Sequence, residues 1–116
     1  MLQVTIIRDT SARITSYLVK GHTGYAEHGK DIVCAAVSVL AQTAIIGLEE
    51  YLKVEVDRSV TSGDLEVRLP EGLAQLDLDD DVSVASQAIL ETMALGFKAI
   101  ARDYEGYLRV LDQKSP

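Results

Sequence analysis

A chain of 116 residues and 12.6 kDa is the size of one ordinary domain and too short for two independent cores. Its 47% hydrophobic and 25% charged residues, with 2 prolines and 8 glycines, exclude a disordered, collagenous or repeat sequence. A net charge of −7, from 11 Lys+Arg against 18 Asp+Glu, excludes a mechanism that neutralises nucleic-acid phosphates with a basic face and favours a basic protein or peptide as charged partner.

Met1 to Arg8 alternates polar and apolar residues and lacks the basic region and small-residue cleavage site of an export signal. Leu2, Val4 and Ile6 mark a first strand. After the polar turn Asp9 to Ser11, the β-branched and aromatic run Ile14 to Lys20 marks a second, and the two read as an antiparallel hairpin. Gly21 to Lys30 packs three glycines into ten residues, the composition of a mobile or tightly turned loop and the place where chemistry is expected. Asp31 is the predicted N-cap of a helix over Ile32 to Leu52. That helix is apolar on two faces, Val33, Val37, Leu40 and Ala44 on one and Ile32, Ala36, Val39 and Ile46 on the other, so burial on two sides is expected. Its uncharged run, Ile32 to Leu48, carries Ser38, Gln42, Thr43 and Gly47 and is short and polar for a membrane span.

Lys53 to Val60 and Asp64 to Leu69 flank Thr61-Ser62-Gly63 as a second hairpin, which Pro70-Glu71-Gly72 ends. The acidic run Asp77 to Asp81 suits the positive end of a helix over Val82 to Ala101, whose predicted inward stripe is Ala85, Ile89, Met93, Phe97 and Ile100. Calcium binding would need a glycine and a distal Glu that this run lacks. Gly106 breaks the chain, and Tyr107 to Leu111 supplies a last strand. The order ββαββαβ predicts an α/β (α+β) sandwich, a sheet of about five strands carrying two helices, in a single domain over residues 1–116. Helices on one face alone would leave apolar surface open, and pairing of two chains would cover it, so a homodimer is expected.

Cys34 is the one cysteine, which excludes an intramolecular disulfide and a CxxC motif and makes a reducing cytoplasm the simplest location. Three residues beyond the predicted N-cap, it falls where free amides and the helix dipole favour a thiolate. The plainer reading is a small buried hydrophobe among Val33, Ala35 and Ala36. Three neighbours favour the nucleophile. His22 lies twelve residues upstream across a loop able to fold back and bring an imidazole to the sulfur. Ser38 is one turn on along the same helical face. First-turn amides would serve as an oxyanion site. Asp31 opposes a thiolate electrostatically and would instead hold His22 in one tautomer.

His28 is a rival base, and His22, His28 and Cys34 with a water would make a zinc set, although their spacing is no established ligand pattern. Gly24 to Lys30 satisfies GxxxxGK, but Asp31 replaces the hydroxyl that would hold magnesium, Glu27 adds negative charge, and the preceding strand belongs to a hairpin. Tyr25 is placed to stack on a substrate or simply to pack.

The eighteen residues 21–38, reading Gly-His-Thr-Gly-Tyr-Ala-Glu-His-Gly-Lys-Asp-Ile-Val-Cys-Ala-Ala-Val-Ser, resemble the signature of the bacterial ribosomal-processing cysteine protease family, Prp. Length, element order and the second helix, with Leu90-Glu91, Gly96-Phe97 and Tyr107-Leu108, resemble it more loosely. Thr23 departs from the Ala or Ser more usual there. The resemblance implies a homodimeric cysteine endopeptidase that needs no cofactor or metal. Its substrate would be a large-subunit ribosomal protein that loses a short N-terminal extension, cut after bulky aromatic residues and before a small and then basic ones. Neither nucleic acid nor membrane would be a direct partner. Cys34 would be the nucleophile and His22 the base. Gly21, Gly24, Tyr25, Asp31 and Ser38 would support them or bind substrate, on a loop that orders over it. Acidic surface at Asp77, Asp79, Asp80 and Asp81 would attract the basic substrate. A non-catalytic, ribosome-associated peptide-binding or assembly module is the alternative.

Overall fold

The computed structural model describes residues 1–21 and 28–115, with the side chains of residues 28–31 outside that description. Strands β1 (Leu2–Arg8) and β2 (Ile14–Lys20) form the antiparallel hairpin their alternation predicts. The Asp9 carboxylate holds the turn by accepting from the amides of Ser11 and Arg13 at 2.8 and 3.0 Å. A register shift beside Ile7 and Arg8 leaves an extra residue in β2, so that Ile14 and Tyr17, three apart in sequence, both enter the core.

Strands β3 (Asp57–Thr61) and β4 (Asp64–Arg68) pair around Ser62 and Gly63, whose φ values of 53° and 85° suit the tight turn of a twisted hairpin. The sheet runs β3-β4-β2-β1-β5, where β5 (Leu108–Lys114) lies parallel to β1 and the other neighbours are antiparallel.

Helix α1 (His28–Ile46) continues into a π-helical turn, Gly47–Tyr51. A short helix α2 (Glu71–Ala74) precedes the long α3 (Asp81–Asp103). Leu2, Val4, Ile6, Tyr17, Val19, Leu65 and Val67 from the sheet join Val33, Val37, Ala41, Ile45 and Leu48, then Leu90, Met93 and Phe97, in one hydrophobic cluster. Burial of each large side chain stabilises it by about 1.5–3 kcal/mol. Gly96 allows the two long helices to approach, since a Cβ there would stand 2.8 Å from Leu40 Cδ1. By length and composition alone, both long helices would pass as membrane spans, but both contribute to this core.

The sandwich of five strands and two long helices agrees with expectation, and several details differ, among them α2, which was not predicted, and β5, which runs three residues past the predicted Leu111. Backbone helix begins at His28, so Asp31 lies inside α1 and is not its N-cap. Gly29 and Asp31 disfavour helix by at most about 1 kcal/mol each, which a helix of 19 residues packed on a sheet outweighs. The second apolar face of α1 is not buried: Ile32, Val39 and Ile46 are exposed. The inward stripe of α3 is Ser83, Ser86, Leu90, Met93, Ala94 and Phe97, with Ala85, Ile89 and Ile100 only half-buried at its margin. Finally, β3 starts at Asp57, four residues later than predicted, because Lys53 turns at φ 58° and the Val54 amide donates to the Leu48 carbonyl at 2.8 Å.

Candidate active site

Cys34 is half-buried on α1, a free thiol packed at the edge of the core. Counting from His28 it is the seventh helical residue, in the second turn and not the first as predicted. The free amides of the first turn belong to residues 28–31, and the dipole weakens within one turn. The helix dipole is therefore weaker at Cys34 than the predicted first-turn placement implies.

The helix that carries Cys34 is pinned to the sheet by Tyr17, whose hydroxyl donates to the Ala41 carbonyl at 2.8 Å. Burial raises the Tyr17 phenol well above its ordinary pKa, against a smaller lowering effect of Arg58, so this donor stays protonated. Ser38 lies one turn after Cys34, as predicted, and lines a crevice of about 110 Å³ with Ala41 and Gln42 of α1, Val19 of β2, and Val60, Gly63 and Leu65 of the β3–β4 hairpin. The hairpin participates because the Gly21 amide donates to Asp64 Oδ1 at 3.2 Å, tying its tip to the end of β2. Gln42 and the hairpin residues were not singled out from sequence. Cys34, Ser38 and Gln42 are nonetheless spaced i, i+4, i+8 along one helical face, a signal that reaches Gln42 but not the hairpin.

Gly21 has φ +97°, and a Cβ on it would stand 2.7 Å from the Met1 carbonyl oxygen, so its glycine is required on both counts. His22, Gly24 and Tyr25 lie outside the described residues, as do the side chains of His28 and Asp31. The His22–Cys34 pairing, the tautomer role of Asp31 and the zinc alternative all fall there. Among the described residues no three His, Cys, Asp or Glu side chains gather as a metal site.

The acidic run is remote from Cys34. Asp80 caps α3, accepting from the amides of Val82 and Ser83 at 2.9 and 3.3 Å, and Ser83 in turn meets Arg13 beside the start of β2. The crevice beside Ser38 adjoins the opposite end of β2, a strand of seven residues and hence roughly 20 Å long. Over that distance exposed charge is screened at physiological salt, so the run does not act locally on the thiol.

A family profile described as Cysteine protease Prp matches residues 1–109. The chain belongs to the Prp cysteine protease family. The Ribosomal processing cysteine protease Prp of Bacillus subtilis is 34% identical over 116 residues, covering 95% of this chain and 96% of that one. Among solved structures, SMU.848 from Streptococcus mutans superposes with a TM-score of 0.81 at 25% identity, over 99% of both chains. The Staphylococcus aureus ribosomal processing protease Prp in complex with a substrate peptide gives 0.80 at 22% identity, over 97% of this chain and 99% of that one. As a Prp-family chain this protein is a cysteine protease, and the non-catalytic module is set aside.

Proposed function

We propose that this cysteine protease removes a short N-terminal extension from a large-subunit ribosomal protein, with Cys34 as nucleophile and His22 as base. One observation carries the assignment of the sulfur: a cysteine protease with a single cysteine has only Cys34 to offer. The ribosomal processing in the name of the B. subtilis relative and the substrate peptide held by the S. aureus relative support the substrate class.

In this reading His22 takes the proton of Cys34, and the thiolate attacks the carbonyl carbon before the scissile bond. His22 then returns the proton to the departing amine, leaving an acyl-enzyme, and a water deprotonated by His22 releases the acid and regenerates the thiol. Ser38 faces the bound peptide, Gly21 sets the loop on its course, and Gly24, Tyr25 and Asp31 support the loop over the substrate. Neither metal nor cofactor enters the sequence of steps.

We also propose that the working unit is a homodimer. Ile32, Val39 and Ile46 repeat every seven residues on the exposed side of α1, the spacing of a helix seam. Between the helices runs an apolar groove of about 450 Å³ lined by Leu40, Ala44, Ile89 and Met93 among others. A second copy would cover this surface. We further propose a cytoplasmic location, which would keep the thiol reduced, and no direct nucleic-acid partner, a reading that a net charge of −7 favours. Incubation with the cognate extended ribosomal protein, followed by intact mass, tests the activity.

A further inference from the structure

The crevice beside Ser38 has the dimensions and place of a side-chain pocket. Val19 and Leu65 form its floor and are almost fully buried, Ala41 closes one wall, and the exposed side chains of Gln42 and Val60 stand at its mouth. Floor and walls are apolar, while Ser38 and Gln42 bring a hydroxyl and an amide to the rim. Its place follows from the helix: Ser38 is four residues, about 6 Å of rise, beyond Cys34 on the same face. A peptide whose carbonyl reaches Cys34 thus has a neighbouring side chain within reach of the opening. Its size is selective. An enclosed apolar cavity that holds a benzene ring has about 150 Å³, whereas this crevice holds about 110 Å³ and so suits an aliphatic side chain better than an aromatic one.

We infer that this crevice between α1 and the β3–β4 hairpin receives one aliphatic side chain of the substrate, of valine or leucine size, and that Gln42 sets the size accepted. The inference rests on the proposed role of Cys34 and adds a requirement distinct from bulky aromatic residues before the scissile bond. Because Gln42 is exposed and spends no side-chain hydrogen bond among the described residues, it can be replaced without disturbing the core.

The test is a peptide series spanning the cleavage site, with each position in turn carrying Gly, Val, Leu or Phe, cut by wild type, Gln42→Ala and Gln42→Trp. In wild type, one position should favour Val or Leu over both Gly and Phe by about tenfold in kcat/KM, the discrimination a hydrophobic pocket gives for one or two carbons. Gln42→Trp should reduce that ratio to within about twofold, and Gln42→Ala should raise acceptance of Phe at the same position. Ratios that match wild type at every position in both variants, whether or not absolute rates fall, overturn the inference and leave the protease reading intact. A wild-type enzyme that cuts none of the peptides, nor the full ribosomal protein, overturns both.

Discussion

The Tyr17 hydroxyl on β2 and the Ala41 carbonyl on α1 meet at 2.8 Å inside the core, seven residues after Cys34. This bond fixes how the nucleophile-bearing helix lies on the sheet, and with it the crevice that Val19 and Ala41 both line. Tyr17→Phe keeps the ring and removes the donor, so it should cost about 1 kcal/mol. For a chain of this size that corresponds to a fall in Tm of roughly 4 °C. Tyr17→Ala should cost about 3–5 kcal/mol through the cavity it opens. Thermal and urea unfolding of the two variants check both magnitudes.

Arg8 joins β1 to both α3 and β5. Its guanidinium donates to both Glu91 carboxylate oxygens at 2.8 Å and to Asp112 at 2.7 and 3.0 Å, and Lys98 adds a 2.9 Å bond to Asp112. Bonding to Arg8 is the largest cause that lowers the Asp112 carboxyl from 3.8 to about 2, and the same guanidinium lowers Glu91. A carboxylate depressed on folding contributes stability that is complete above its unfolded pKa and is lost as pH falls through the folded one. Asp112 should therefore contribute about 1–2 kcal/mol above pH 4, after discounting for partial exposure, and lose it between pH 4 and 2. Urea midpoints across that range should drop steeply in wild type and less steeply in Asp112→Asn, which starts lower at neutral pH.

Gly21→Ala should be damaging out of proportion to one methyl group. Both the positive φ and the 2.7 Å approach to the Met1 carbonyl oppose a Cβ, and the oxygen is backbone that cannot turn aside. A cost of about 1–3 kcal/mol is expected, together with loss of cleavage, because Gly21 directly precedes His22. Calorimetry and peptide cleavage on the same preparation measure the two effects.

The proposed dimer predicts a mass near 25 kDa in light scattering, twice 12.6 kDa. Val39→Glu places a charge in the middle of the heptad-spaced stripe at a position already exposed in one chain, so it should halve that mass and leave the fold's circular dichroism unchanged. A wild-type mass of one chain would remove the dimer.

The hairpins and long helices were legible because each obeys a local rule: alternation in Leu2, Val4 and Ile6, a Ser62-Gly63 turn, and an acidic cap before α3. Less legible was whatever tertiary packing decided. Asp31 is a good cap by propensity, yet α1 begins three residues earlier. Leu90 and Ala94 displaced Ile89 and Ile100 from the centre of the α3 stripe, because a run spaced by four drifts about 40° round the helix at each step and leaves the buried face. At the site, Cys34 and Ser38 were found from spacing along one helix, whereas Val60, Gly63 and Leu65 reach the crevice through strand pairing between β2 and β4 that no local pattern encodes.

Replacement of one sulfur by oxygen is the sharpest test. Wild type and Cys34→Ser, each mixed with the N-terminally extended ribosomal protein and read by intact mass, should differ completely. Wild type should yield the shortened protein and the released peptide, and Cys34→Ser should bind the substrate and leave its mass unaltered. Cleavage by Cys34→Ser at a rate comparable to wild type would contradict the assignment of Cys34 as nucleophile.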